Sequence, residues 1–118
     1  MLKPLVFETL LILAAGEQHG WTLLRDLEAR TGRRILPGNF YRTLRALLAE
    51  GLVEEVDVDD IPPARARALP ETGLNADRRR YLRLTGDGRA AAKAEARRLD
   101  SLVAESRDRR LLSASRRP

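Results

Sequence analysis

The sequence predicts a mainly α-helical chain with a small β-wing, and three observations carry that prediction. Residues Phe40, Leu44, Leu47 and Leu48 recur at helical spacing, and Gly51 and the apolar pair Leu52-Val53 follow at once. Arg80-Tyr81-Leu82-Arg83-Leu84 alternates at the two-residue period of a strand. Ala92, Ala96, Leu99, Leu102 and Val103 form a stripe near 3.5-residue spacing in an alanine- and arginine-rich segment. Helix, short link, helix, strand, returning strand and closing helix make a winged helix-turn-helix with a C-terminal dimerisation helix.

Taken in order, the first helix starts near Pro4, a favoured N1 residue, and stops at Gly16. Its apolar arc, Leu5 to Ala15, is wider than one core face requires, so part of it is expected to face a second subunit. Glu17-Gln18-His19-Gly20 reads as a turn. A second helix runs from Trp21 or Thr22 to Arg30, with Trp21, Leu23, Leu24 and Leu27 inside and Arg25, Asp26 and Glu28 outside. Gly32 breaks it. Arg33 to Gly38 leads into the third helix, capped by Gly38 or Asn39, and Pro37 biases Leu36 toward extended geometry.

The strand Leu52–Val56 begins the wing and Arg80–Leu84 returns it. Between them, residues 57–78 hold Asp57, Asp59, Asp60, Pro62, Pro63, Pro70 and Gly73, and read as a flexible flap. Asp57, Asp59 and Asp60 are expected to face away from a polyanion or to pair with Arg65 and Arg67. Thr85 is an N-cap candidate, and the helix it opens runs to about Arg109, with Glu105 and Arg109 paired at i,i+4. The expected organisation is a winged helix-turn-helix domain over residues 1–84, a dimerisation helix over 85–110 and a basic, disordered tail over 111–118.

Bulk composition narrows the function. The chain has 118 residues, a net charge of +5 and a pI near 10.6. All of its 22 cationic residues except Lys3 and Lys93 are arginine, which suits phosphate and guanine. The alternative reading is codon bias in a GC-rich genome, which enriches arginine and alanine together. No run approaches the ~20 apolar residues of a membrane span, and Glu8 and Thr9 interrupt the most apolar segment. That segment lacks a signal-peptide cleavage site, and the chain lacks cysteine, so a cytoplasmic location is expected. No phosphate-cradling glycine loop, paired nucleophile and base, or metal-ligand cluster is present in the sequence, so no enzyme activity, cofactor or metal is expected. His19, the single histidine, is assigned a structural role in its turn.

With Phe40 at the centre of the buried stripe, steps of about 100° per residue put Asn39, Arg42, Ala46 and Ala49 opposite, with Arg45 on the flank. A slim helix face with an amide and cations suits entry into a DNA groove. Asparagine pairs bidentately with adenine and arginine with guanine, and either can hold phosphate instead. Asn39, Tyr41, Arg42, Thr43 and Arg45 are therefore the candidate DNA contacts, with the Tyr41 hydroxyl within reach of a phosphate. Arg78, Arg79 and Arg80 join them as a phosphate or minor-groove clamp, the alternative being a charged edge that keeps the strand from aggregating. The dimer candidates are Leu5 and Leu10 on the first helix and Ala92, Ala96, Leu99, Leu102 and Val103 on the last. Trp21 has two readings, core packing or part of an effector pocket.

The ordered pieces together resemble the PadR-type winged-helix transcriptional regulators of the short kind. They are Leu10-Leu11-Ile12-Leu13, His19-Gly20-Trp21, Gly38-Asn39-Phe40-Tyr41 leading to Leu44, Glu50-Gly51-Leu52-Val53, and Arg79 to Thr85. The resemblance spans roughly residues 5–104. Arg42 stands where the family often has proline, Asn39 where it often has serine or threonine, and the insert is longer than usual. The resemblance implies a homodimer on a pseudo-palindromic operator, usually a repressor, often released by a small hydrophobic compound. A winged-helix protein-interaction module and a non-selective DNA binder are the alternatives.

Overall fold

The computed structural model describes residues 1–67 and 81–113. Helix α1 spans Pro4–Ala14, strand β1 Gln18–His19, α2 Gly20–Thr31, α3 Pro37–Ala49 and β2 Val53–Val56. A 3₁₀ turn over Val58–Asp60 and the short helix α4, Pro63–Arg67, follow β2. Strand β3, Tyr81–Leu84, and the 23-residue α5, Gly86–Asp108, complete the chain.

The local signals act where expected. Pro4 sits in the first turn of α1. Gly32 ends α2 at φ 67°, and Gly51 follows α3 at φ 74°, a left-handed conformation that favours glycine. The N-cap of α3 is Leu36 rather than the expected Gly38 or Asn39. Pro37 occupies the first turn and Leu36 is in extended conformation, so the asparagine lies inside the helix. The Thr85 hydroxyl caps α5 by accepting the Gly88 N–H at 2.9 Å.

The sheet has three antiparallel strands in the order β1-β3-β2. Gln18-His19, expected as a turn, adds an edge strand, with His19 opposite Tyr81 and Gln18 opposite Leu82. Two residues carry no readable alternation, and they become a strand because β3 offers them a free edge. The other edge of β3 pairs Val53 with Leu84 and Val56 with Tyr81.

One sheet face lies on the main core. Val53 and Leu82 join Leu10, Leu13, Leu23, Leu27, Phe40, Leu44 and Leu47 there, with Ala92 of α5 closing it. The insert that follows β2 was expected to project as a flexible flap. Instead Val56 and Tyr81 pack with Ile61 and Val58, which lie just beyond β2. The insert residues 57–67 thus supply a second small core, while the rest of the expected flap lies outside the described residues.

Three further expectations change. Leu10 is fully buried, and Ala92 closes the same core. Both are therefore withdrawn as dimer contacts, because their apolar surface is already spent inside one subunit. Trp21 is not core: it is 47% exposed, with the Arg25 guanidinium 5.5 Å from its ring centroid. Arg65 pairs with Glu17 rather than with the aspartates, and Asp57 accepts the Asp59 N–H at 2.9 Å. Among the described residues no helix is long and apolar enough to cross a membrane.

Candidate nucleic-acid interface

Helix α3 presents its face because its other side is anchored. Phe40, Leu44 and Leu47 are buried, and helical geometry then turns Asn39, Arg42, Ala46 and Ala49 outward. All four are exposed, as is Arg45. Thr43 is half-buried at the edge of the face. Tyr41 lies between the two sides, its ring edge-on to Phe40 with centroids 5.0 Å apart. One side of Tyr41 packs and the other is open to a partner.

The turn before α3 is held from α2. The Glu28 carboxylate accepts the Ile35 N–H at 2.8 Å, and the Thr31 hydroxyl accepts the Arg33 N–H at 3.3 Å. These bonds leave Arg33 and Arg34 exposed beside the first turn of α3. A hollow of about 710 Å³ between α1 and this turn is bordered by Leu5, Arg33, Arg34, Leu36 and Asn39. Glu8 also borders it, but its carboxylate lies 3.4 Å from Arg30.

The electrostatics follow from which charges are matched. Arg30, Arg65, Arg83, Arg98 and Arg109 each face a carboxylate within 4 Å. Among the described residues, Arg33, Arg34, Arg42 and Arg45 form no ion pair, and all four are exposed along one helix and its lead-in. Unneutralised guanidinium groups on a rigid helix and a pinned turn are a surface for a polyanion.

The expected contacts therefore divide. Asn39, Tyr41, Arg42, Thr43 and Arg45 lie together on α3, while Arg78, Arg79 and Arg80 fall outside the described residues. Arg33 and Arg34 gained no role from the sequence, although an arginine pair just before a proline-led helix was a readable signal. His19 caps α2 by accepting the Trp21 N–H at Nδ1, 3.1 Å away, and its ring stands edge-on to Tyr81 at 5.3 Å. That is the structural use assigned to it. Trp21 borders a second hollow of about 590 Å³ with Leu24, Gly32, Arg33 and Pro37.

Of the remaining dimer candidates, Leu5 packs partly against the core. Beyond Glu95, no residue of α5 is buried. Ala96 is exposed, Leu99 and Val103 are partly covered, and Leu102 is 47% exposed. The second half of α5 therefore projects with an uncovered apolar seam.

No family model matches the chain, and no curated protein does either. Solved structures do. TA0346 of Thermoplasma acidophilum, assigned as a transcriptional regulator, aligns at a TM-score of 0.61 with 19% identity, over 94% of this chain and 92% of that one. RosR of H. salinarum aligns at 0.59 with 21% identity, over 94% and 96%. A PadR family transcriptional regulator from Eggerthella lenta aligns at 0.53 with 18% identity, over 90% and 82%. The shared property at these identities is the fold.

Proposed function

We propose that this chain is a sequence-selective DNA-binding transcriptional regulator, without enzymatic activity, working as a homodimer in the cytoplasm. The observation that carries the reading is the exposed face of α3, where Asn39, Arg42 and Arg45 stand unpaired among the described residues. The pinned arginines Arg33 and Arg34 flank it. Two of the solved structures with this fold, TA0346 and the Eggerthella lenta protein, are named as transcriptional regulators, which supports the same reading.

In this reading α3 enters the major groove, with Asn39 and Arg42 on base edges and Tyr41, Thr43 and Arg45 on phosphates. Arg78, Arg79 and Arg80 clamp the backbone from the wing. The seam of Ala96, Leu99, Leu102 and Val103 pairs with its copy, helped by Leu5. Two α3 helices then lie about 34 Å apart, one DNA turn, and read a pseudo-palindromic operator. The regulator represses, and a small hydrophobic effector seated by Trp21 releases it by shifting the separation of the two readers.

The test is binding to the DNA upstream of the protein's own gene, with unrelated competitor DNA in excess. A selective shift is expected, and Arg42→Ala should weaken it about tenfold or more, ~1.4 kcal/mol, without lowering Tm. Equal binding to operator and competitor would overturn the selective reading.

A further inference from the structure

Glu17 is a buried carboxylate for which neither the main core nor the α3 face has a use. It follows Gly16 at the joint between α1 and β1, and it is 3% exposed. Neither carboxylate oxygen has a hydrogen-bond partner among the described residues. Its charge is met by one group among the described residues, Arg65 Nη2, 3.1 Å from Glu17 Oε2 but out of line for a hydrogen bond. Arg65 belongs to α4, in the insert between β2 and β3, and more than half of its side chain is exposed. The guanidinium is thus a lid on a charge that the body of the domain has already buried.

Such a pair is a poor device for stability. Desolvating a carboxylate is expensive, and a single exposed partner returns little of that cost. What the pair does supply is position. An apolar patch would accept many side chains, whereas a buried anion selects a cation and fixes where it sits. The residues around it support that role. The Pro62 carbonyl accepts the Arg65 N–H at 2.9 Å, and the Val58 carbonyl accepts the Ile61 N–H at 3.2 Å. These bends aim the insert back at the sheet. Ile61, 3% exposed, then packs with Val56 and Tyr81, and Tyr81 meets His19, two residues beyond Glu17.

We propose that Glu17 and Arg65 form a latch that fixes the insert against the α1–β1 joint, which makes Glu17 a positioning residue for the wing. The latch stands on this geometry alone. Its effect on DNA affinity rests on the function proposed above.

Hydrogen exchange tests the latch whether or not the chain binds DNA. The reporters are the amides of Asp60, Ile61 and Arg65, which donate to Asp57, Val58 and Pro62. Glu17→Gln should speed their exchange about tenfold, a shift of ~1.4 kcal/mol in local opening, while α1 and α3 exchange as before. Arg65→Ala, at an exposed side chain, should do the same and keeps the test open if the buried variant folds poorly. Arg65→Lys should restore slow exchange. Unchanged exchange at the three amides in Arg65→Ala would overturn the latch. With the latch shown, unchanged operator affinity in Arg65→Ala would overturn only its proposed bearing on DNA.

Discussion

Gly88 lies so close under Leu52 that a β-carbon on it would stand 2.0 Å from the Leu52 carbonyl oxygen. The Leu84 Cδ1 would be 2.7 Å away on another side. The same carbonyl accepts the Thr85 N–H at 3.2 Å. This contact seats the first turn of α5 on the segment that follows α3, so it helps set the angle between the helix with the exposed polar face and the helix with the apolar seam. Gly88→Ala should lower stability by about 1–3 kcal/mol, as overpacking does. Urea unfolding checks this, and an unchanged midpoint would show that the joint opens freely.

Thr85 works at the same joint from the other side. Its hydroxyl donates to the Gly51 carbonyl at 2.6 Å and accepts the Gly88 N–H at 2.9 Å. Thr85→Val keeps the shape and removes both bonds. A loss of about 1 kcal/mol is expected, the usual value of an N-cap. A melting temperature equal to the parent's would refute it.

Glu95 gives the chain an acid-sensitive tie. It accepts two N–H groups from Arg98, at 3.0 and 2.6 Å, and the Leu2 N–H at 3.2 Å. The Arg98 hydrogen bonds chiefly, aided by the Leu2 N–H, hold its carboxyl at about 2 instead of 4.5, against the opposing effect of burial. Because the folded value is the lower one, the stabilisation is present in full above about pH 4.5 and is lost as pH falls toward 2. Glu95→Gln should flatten the stability profile in that window, compared by chemical unfolding at pH 7, 4 and 2.5. Parallel profiles for the two proteins would count against the tie.

The seam on α5 predicts an association defect. Leu102→Glu should shift the proposed dimer toward monomer in sedimentation velocity, because it would place a charge in the middle of an apolar contact. Helicity should fall with it, since the projecting half of α5 then loses its cover. Unaltered sedimentation of the variant would remove Leu102 from the interface.

Arg33 and Arg34 should differ from Arg42 in kind. Arg33→Gln or Arg34→Gln is expected to weaken all DNA sequences alike and to reduce the slope of log affinity against log salt by about 1. Arg42→Ala should instead narrow the gap between operator and unrelated DNA. A turn variant that changed sequence preference and left the salt slope alone would reverse these assignments.

The α3 stripe, the Gly51 stop, the alternation of β3 and the Thr85 cap were legible in the sequence because each is a local matter. Helical period, left-handed glycine and capping depend on residues within a few positions of one another. The candidate face on α3 was legible for the same reason: burying Phe40, Leu44 and Leu47 leaves Asn39 and Arg42 outside whatever the core contains.

What covers an apolar surface was not legible, because the cover comes from distant residues. Periodicity marked Leu10 and Ala92 as apolar and left open whether a core or a second subunit takes them. Trp21 matched the apolar spacing of α2, yet it stays 47% exposed, and none of the described elements packs fully over it. Gln18-His19 became a strand when β3 arrived from more than 60 residues away. The aspartates and prolines of residues 57–78 suggested a flap. Tertiary structure folded Ile61 onto Tyr81 and brought Arg65 to Glu17, because a buried anion and an uncovered sheet face each need a partner that no local rule supplies.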